Sequence, residues 1–216
     1  MRALLAVLVA LVFLAGCGGG DDDSASAGDT TEATECAEVD APEARVPEPA
    51  EAPSAELDAS TTYTLAFDTS CGSFVVTLDP EQAPKTAASL VALANAGYFD
   101  ETIFHRVVPG FVIQGGDPTQ SGSGGPGYST VDVPPSGSAY TQGVVAMAKS
   151  GVEAPGTAGS QFFVVTGADA GLPPEYAIVG DVTDGMDTVL RIDALGVGDG
   201  PPSQPVVVNT VTVGES

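Results

Sequence analysis

The sequence of 216 residues has no tryptophan, one histidine, three cysteines and only six basic side chains against 29 acidic ones. Because one histidine and three cysteines are too few ligands for an ordinary zinc cage, we expect no metal site. The formal net charge of −23 argues against nucleic acid as a partner, because nucleic-acid binders need clustered lysine and arginine. The length allows one ordinary domain with extensions.

The N-terminus has the pattern of an export signal. Met1 and Arg2 precede an apolar run over residues 3–15, which is too short for a comfortable membrane span. The run ends in Leu-Ala-Gly-Cys at 14–17, which resembles the bacterial lipobox, where the cysteine is lipidated after cleavage. The sequence therefore predicts a lipoprotein signal peptide over residues 1–16 and a lipid on Cys17. A plain signal peptide with a chance cysteine is the alternative.

Residues 17–60 follow as the lipidated cysteine and an acidic stretch with few large apolar side chains. Residues 18–60 hold 13 acidic residues against one basic residue, Arg45. Such a segment buries too little surface to offset its ordering entropy, so we predict a disordered linker. Its charge would hold the folded domain away from anionic lipid headgroups, or it would serve solubility alone. The expected location is extracytoplasmic, with a lipid anchor in the cell membrane, on a periplasmic or an outer surface.

Two further cysteines lie at Cys36, in the predicted linker, and at Cys71. If Cys17 carries a lipid, an even number remains in an oxidising compartment, which permits one disulfide. Two free thiols are the alternative.

Residues 61–216 have the patterns of a folded domain. Alternating apolar residues over 63–67 and 74–78 predict a hairpin. Pro84 and the apolar spacing that follows predict a helix that ends at Gly97, and a second helix is expected over 184–194 with Asp184 as its cap. Six further strands are predicted at residues 104–108, 111–115, 143–148, 162–166, 177–181 and 206–213. Many short strands with two helices indicate an antiparallel barrel or sandwich.

Two motifs suggest chemistry that their context does not support. Residues 122–127 match G-x-G-x-x-G, but Pro126 lacks a donor and no helix pattern follows, so we interpret the motif as a glycine-rich loop. A serine hydrolase would have to use the single histidine, His105, and no G-x-S-x-G turn presents a serine. His105 is therefore predicted to be a hydrogen-bonded structural residue.

The most informative segment is FHRVVPGFVIQGGD at residues 104–117. At the two-residue period of a strand, Arg106 shares a face with Val108, and Val112 shares a face with Gln114. A cation, an amide and apolar side chains would then meet on one surface. A solvated arginine on an edge strand is the alternative that the spacing leaves open.

This segment, together with GVVAMA at 143–148 and GSQFF at 159–163, closely resembles the cyclophilin family of peptidyl-prolyl cis-trans isomerases. The resemblance covers nearly all of residues 61–216. It implies a mainly β fold, a closed eight-stranded antiparallel barrel capped by two helices. It also implies an enzyme that accelerates rotation about Xaa-Pro bonds in proline-containing polypeptides without a cofactor.

Combined with the export signal, the resemblance implies a monomeric, membrane-tethered folding catalyst for exported proteins. A non-catalytic peptide-binding module on the same fold is the alternative.

The resemblance also implies the site residues. Arg106 would be the catalytic arginine, and Gln114 its neighbour that binds the substrate backbone. The proline pocket would be lined by Phe111, Val112, Phe163 and Leu172. The other substrate-binding positions are Ala148 and Lys149, which meet substrate mainly through backbone, Gln161, and Tyr176, where many members have histidine. Val112 stands in place of the usual methionine, and Lys149 in place of an asparagine.

Overall fold

A computed structural model describes residues 35–58 and 60–216 of the chain. The predicted signal peptide, Cys17 and the first part of the predicted linker lie outside the described residues. The elements, in chain order, are β1 (Tyr63–Thr69), β2 (Gly72–Leu78), α1 (Pro84–Asn95), β3 (Thr102–Ile103), β4 (Arg106–Val108), β5 (Val112–Gly115), β6 (Thr130–Val131), β7 (Val144–Met147), β8 (Thr157–Ala158), β9 (Phe162–Val165), β10 (Ile178–Asp184), α2 (Met186–Asp193) and β11 (Val207–Glu215). Within these residues neither helix has the length and apolar sequence that crossing a membrane requires.

The predicted N-terminal hairpin is confirmed by the antiparallel pairing of β1 with β2. Gly72, which starts β2, has a φ of +108°, a conformation that side-chain-bearing residues rarely adopt. Phe67 and Phe74 are directly opposite on the two strands, and their rings stack with centroids 4.7 Å apart. The alternation that predicted the strands therefore also produces a cross-strand aromatic pair in the core.

Nine strands form one antiparallel sheet in the order β3-β11-β1-β2-β10-β7-β9-β5-β4, and β6 pairs with β8 in a separate two-stranded sheet. The edge strands β3 and β4 are separated in sequence only by Phe104 and His105. The chain therefore holds the two ends of the sheet close to each other, and the sheet curls.

The strand pairing differs from the expected closed eight-stranded barrel. Among the described residues β3 pairs with β11 and β4 pairs with β5, but no ladder joins β3 to β4. The predicted strand at 104–108 is therefore shorter and begins at Arg106. At Phe104 and His105 the chain passes from the pairing of β3 with β11 to the pairing of β4 with β5. The fold is mainly β, as expected, with a curled nine-stranded sheet as a half-barrel and two helices.

Both helices lie where the sequence predicted them, but the N-cap of α2 differs from the prediction. Gly97 follows α1 with a φ of +64°, and the amides of Gly97 and Tyr98 donate to the carbonyls of Ala94 and Leu93 in a Schellman motif. The N-cap of α2 is Gly185 rather than Asp184, and no side chain within the described ranges caps that helix. Asp184 instead accepts a hydrogen bond from the Gly185 amide at 2.9 Å.

Apolar side chains form two clusters on opposite faces of the sheet. The larger one contains Val107, Ile113 and Val164, which follow each other across β4, β5 and β9, and it includes buried residues of both helices. The smaller cluster takes the alternate residues of the same strands, such as Val112 and Phe163. Because neighbouring strand residues point to opposite faces, the smaller cluster lies on the outer face.

Residues 35–58, the N-terminal strap, have no helix or strand but lie along the domain. Cys36 is joined to Cys71 in a disulfide, and the Ala37 amide donates to the Ser70 carbonyl at 2.7 Å. This part of the predicted linker therefore differs from a free tether. The reason is tertiary, since the cross-link reduces the entropy cost of ordering the segment and the domain supplies hydrogen-bond partners.

Candidate active site

The outer face of the sheet carries a row of residues across four adjacent strands. Arg106 on β4 is directly opposite Gln114 on β5, which is opposite Phe163 on β9, which is opposite Ala146 on β7. Directly opposite residues of antiparallel strands share a face, so the row places a cation, an amide and an aromatic ring side by side. This is the arrangement that strand periodicity predicted for Arg106 and Gln114.

The apolar part of the site is the smaller cluster. Its buried members are Val112, Tyr140, Val144, Ala146, Phe163, Val165 and Ile178, and its partly buried members are Phe111, Ala148, Ala170, Leu172 and Tyr176. All four side chains expected to line a proline pocket are in this set. The partly buried members leave an apolar surface open to solvent beside Arg106, which suits a small ring such as that of proline.

Arg106 is held by two side chains. Its Nε and Nη2 donate to the two carboxylate oxygens of Asp199 at 2.5 and 3.1 Å, and its Nη1 donates to Gln114 Oε1 at 3.2 Å. The hydrogen bond from Arg106 lowers the pKa of the Asp199 carboxyl, so that side chain stays ionised at neutral pH. The Arg106 side chain is 31% exposed, so the guanidinium is oriented and still reachable.

A chain of amides continues from Arg106 across the face. Gln114 Nε2 donates to Gln161 Oε1 at 3.0 Å, and Gln161 Nε2 donates to the Gly124 carbonyl at 2.9 Å. All three hydrogen bonds of this series have their donor on the Arg106 side and their acceptor on the Gly124 side, because Arg106 can only donate and the Gly124 carbonyl can only accept. The chain therefore determines which end of each glutamine amide faces the arginine.

Next to these amides lies a groove of 720 Å³, formed by three segments and Gln114. The segments are residues 122–129, 148–150 with Glu153, and 159–161. The expected site residues Ala148, Lys149 and Gln161 therefore line this groove. The glycine-rich loop forms one wall, which is the surface position that the sequence predicts for it.

Asp117 organises the glycine-rich loop. Its buried carboxylate accepts hydrogen bonds from the Thr119 hydroxyl and from the amides of Thr119, Gly122 and Gly124, at 2.7 to 3.1 Å. Burial alone would raise the pKa of Asp117, but these hydrogen bonds outweigh it and the pKa is lowered. A Cβ at Gly124 would overlap this carboxylate, so the loop requires glycine there.

The N-terminal strap supports the outer side of the same loop. Gln120 Nε2 donates to the Pro42 carbonyl, and the Ala50 amide donates to the Pro126 carbonyl, each at 2.8 Å. Arg45 Nη2 donates to the carbonyls of Tyr98 and Asp100 at 2.7 and 2.8 Å. The disulfide-linked strap thus stabilises the glycine-rich wall of the groove by hydrogen bonds on the side away from the groove.

Tyr176 and Lys149 form the far side of the site. The Tyr140 hydroxyl donates to the Tyr176 carbonyl at 2.8 Å and accepts from the Tyr176 amide at 3.0 Å. The Tyr176 ring meets Phe163 edge-on at 5.7 Å. The Lys149 side chain is only 2% exposed, and its ammonium pairs with Glu175 at 3.2 Å. Its position favours the expectation that Lys149 meets substrate through backbone.

Both ring nitrogens of His105 are buried, and neither has a hydrogen-bond partner among the residues that the structure describes. Burial, together with the neighbouring charge of Arg106, lowers the pKa of His105, although Asp117 acts in the opposite direction. The ring is therefore neutral at physiological pH. It lies between β3 and β4 with Gly122 beside it. The prediction that this histidine is hydrogen-bonded is wrong for the described residues, because the ring packs there without a polar partner.

Residues 64–213 match the sequence profile of the cyclophilin type peptidyl-prolyl cis-trans isomerases. The chain belongs to this family. It is 37% identical over 160 residues to peptidyl-prolyl cis-trans isomerase-like 1 of Gibberella zeae, an alignment that covers 71% of this chain and 97% of the relative. It is 38% identical over 170 residues to a probable peptidyl-prolyl cis-trans isomerase A of Mycobacterium leprae, which covers 69% and 91%.

Solved structures agree with this assignment. A cyclophilin type isomerase of Cryptosporidium parvum superimposes with a TM-score of 0.65 at 30% identity, over 72% of this chain and 99% of that one. A second structure of that protein, determined in the presence of the dipeptide Ala-Pro, superimposes with a TM-score of 0.64. The chain is therefore a cyclophilin-type peptidyl-prolyl cis-trans isomerase, an enzyme rather than a binding module alone.

Sequence reasoning missed three residues that hold this cyclophilin site together. Asp199 lies in a loop after α2, Tyr140 lies before β7, and Asp193, at the end of α2, accepts hydrogen bonds from the Gly110 amide and the Thr166 hydroxyl. None of them has a motif or a strand period near it. Their roles arise only when distant segments meet, so no local pattern could have found them.

Proposed function

We propose that this cyclophilin isomerises Xaa-Pro bonds on the outer face of the curled sheet, with Arg106 as the catalytic residue. The observation that carries the proposal is the position of Arg106, which is oriented by two side chains beside an apolar surface. That surface is apolar and partly open to solvent, as binding of a proline ring requires, and a relative was crystallised in the presence of Ala-Pro. The residues on it are Phe111, Val112, Phe163 and Leu172.

The chemistry follows from the electronic structure of the amide. Rotation about the Xaa-Pro bond breaks amide resonance, and the uncatalysed step takes tens to hundreds of seconds. In the twisted state the proline nitrogen regains a lone pair, which accepts a hydrogen bond poorly in the planar ground state. A guanidinium at Arg106 stabilises that lone pair selectively, which is differential binding of the transition state.

The neighbouring residues hold the reacting groups. The apolar cluster fixes the proline ring while the preceding carbonyl rotates, and the drier surroundings favour the less polar twisted amide. Gln114 binds substrate backbone and orients Arg106 through its Oε1. Ala148, Lys149, Gln161 and Tyr176 border the space for residues that flank the proline.

Isomerisation of an Ala-Xaa-Pro-Phe peptide, measured by NMR exchange with the full-length chain, tests this proposal. We expect Arg106→Ala to lower kcat/KM by about tenfold or more with the fold retained. Lys85→Ala is the matched control, since it removes an exposed positive charge on α1, away from the row of site residues. Full activity in a folded Arg106→Ala variant would refute the role of Arg106.

We also propose that the enzyme acts as a monomer on exported proteins while anchored to a membrane by a lipid on Cys17. Residues 14–17 support this location, and so does the Cys36–Cys71 disulfide, because disulfides persist mainly outside the cytoplasm. Acyl chains on one residue would give essentially irreversible anchoring.

Membrane fractionation of cells that express the wild type and Cys17→Ser tests the anchor. We expect wild type in the membrane fraction with incorporated labelled fatty acid, and the variant without label. Equal labelling of both proteins would place the lipid elsewhere, and absence of label from wild type would favour a plain signal peptide.

A further inference from the structure

The loop between α2 and β11 brings a carboxylate onto the arginine of the active site. Asp199 and Arg106 are 93 residues apart in sequence and form a two-point ion pair. We infer that Asp199 is a positioning residue, which holds the Arg106 guanidinium at the angle that isomerisation requires. This inference rests on the catalytic role proposed for Arg106.

The donors of Arg106 show why Asp199 orients the side chain rather than blocks it. A guanidinium has five N–H donors. Asp199 occupies Nε and one donor of Nη2, and Gln114 occupies one donor of Nη1. One donor on each terminal nitrogen is therefore left for substrate. The carboxylate approaches the side of the fork, so the end of the guanidinium stays open.

The backbone of the loop that carries Asp199 is bonded to β4. The Val107 amide, which directly follows Arg106, donates to the carbonyl of Gly200 at 2.8 Å, and these two residues form an isolated bridge. The Ser203 amide donates to the Leu195 carbonyl at 2.8 Å and closes the base of the loop. Asp199 is therefore tied to the strand that carries Arg106, although its side chain is 68% exposed.

An Arg106 guanidinium held in one orientation by Asp199 suits this reaction. The Arg106 guanidinium must donate to a nitrogen lone pair that exists only in the twisted state. The orientation of the guanidinium therefore matters more for the rate than its overall electrostatic attraction for the substrate. A mobile guanidinium would still bind peptide but would stabilise the transition state less. Loss of Asp199 should therefore act on kcat rather than on KM.

The chain offers a matched control in Asp187. Its carboxylate accepts one hydrogen bond from Arg191 at 2.6 Å on α2 and is 63% exposed, so it resembles Asp199 in exposure and in having an arginine as its partner. Asp187→Asn removes the same charge and the same kind of ion pair without touching Arg106. This variant therefore controls for the loss of one negative charge and of an exposed ion pair.

The experiment measures kcat and KM of full-length wild type, Asp199→Asn, Asp199→Glu, Asp187→Asn and Arg106→Ala, and records the Arg106 Nε–H resonance by NMR. We expect Asp199→Asn to lower kcat about three- to tenfold with KM changed less than about twofold. Asp199→Glu should retain more of kcat than Asp199→Asn, and the Nε–H signal should broaden in Asp199→Asn but not in Asp187→Asn.

Two results would overturn the inference. A kcat in Asp199→Asn equal to that of Asp187→Asn would show that the ion pair has no catalytic role. A kcat above wild type would show that Asp199 competes with substrate. Both apply when Arg106→Ala lowers kcat/KM by about tenfold or more. Full activity of a folded Arg106→Ala variant would instead refute the proposed function.

Discussion

The Lys149 ammonium lies 5.3 Å from the centroid of the Tyr176 ring, and it pairs with Glu175 at the same time. It also donates to the carbonyls of Ser150 and Glu153 at 3.4 and 3.3 Å. One buried cation thus joins two loops that border the site. Its contacts are with the protein rather than with the open groove.

Lys149→Ala should therefore affect stability more than catalysis. We expect the free energy of unfolding to fall by about 1 to 3 kcal/mol, because hydrogen bonds to a charged group are lost. We expect kcat to fall less than about threefold, since Tyr176 keeps its bonds to Tyr140. Denaturant titration and the peptide assay measure the two effects. A large loss of kcat at unchanged stability would mean that the side chain touches substrate.

The directed chain from Arg106 to Gly124 predicts unequal effects for its two glutamines. Gln114→Leu removes a partner of Arg106, so we expect kcat/KM to fall about tenfold. Gln161→Leu leaves the Arg106–Gln114 bond in place, so its effect should be smaller. In the double variant the two effects should not add, because residues of one network couple. Additive losses in this double-mutant cycle would show that the glutamines act independently.

The strap predicts a measurable contribution of the disulfide to stability. Cys36 and Cys71 are 35 residues apart, for which loop closure corresponds to about 3 to 4 kcal/mol. The free energy of unfolding of the Cys36→Ser/Cys71→Ser variant should be lower by that amount, so its denaturation midpoint should fall. Wild type in a reductant should show the same midpoint as this variant. Arg45→Ala, which keeps the cross-link, should lose less. An unchanged midpoint in both the double variant and reduced wild type would show that the strap contributes nothing.

His105 predicts a pH dependence of stability below neutrality. Its folded-state pKa is lowered from an ordinary value of 6.5, so the unfolded state binds the proton first as the pH falls. Stability is therefore complete above about pH 6.5 and is lost as the pH falls through the lowered pKa, with a slope of up to about 1.4 kcal/mol per pH unit.

His105→Phe removes this titration. The difference in unfolding free energy between wild type and variant, measured from pH 7.5 to pH 5, should change in favour of the variant as the pH falls. Parallel curves would contradict the prediction.

Local sequence determined both helices and the longer strands of this protein, and which of their residues share a face, but it did not predict the two-residue strands β3, β6 and β8. The alternation at 63–67 and 74–78, the proline and glycine that bound α1, and the two-residue period from Arg106 to Gln114 are each visible within a few residues. These features follow from strand and helix geometry, which depends on neighbours in the chain. The family resemblance added the identity of the reaction for the same reason, because its motifs are contiguous.

Tertiary structure alone decided the rest. The pairing of β3 with one edge of the sheet and β4 with the other, the path of the strap over the glycine-rich loop, and the contact of Asp199 with Arg106 all join segments far apart in sequence. Such contacts depend on the curvature of the sheet and on the positions that the loops take up against it. A carboxylate between two glycines has no local pattern, and it becomes a partner of Arg106 only when Gly200 bonds to Val107.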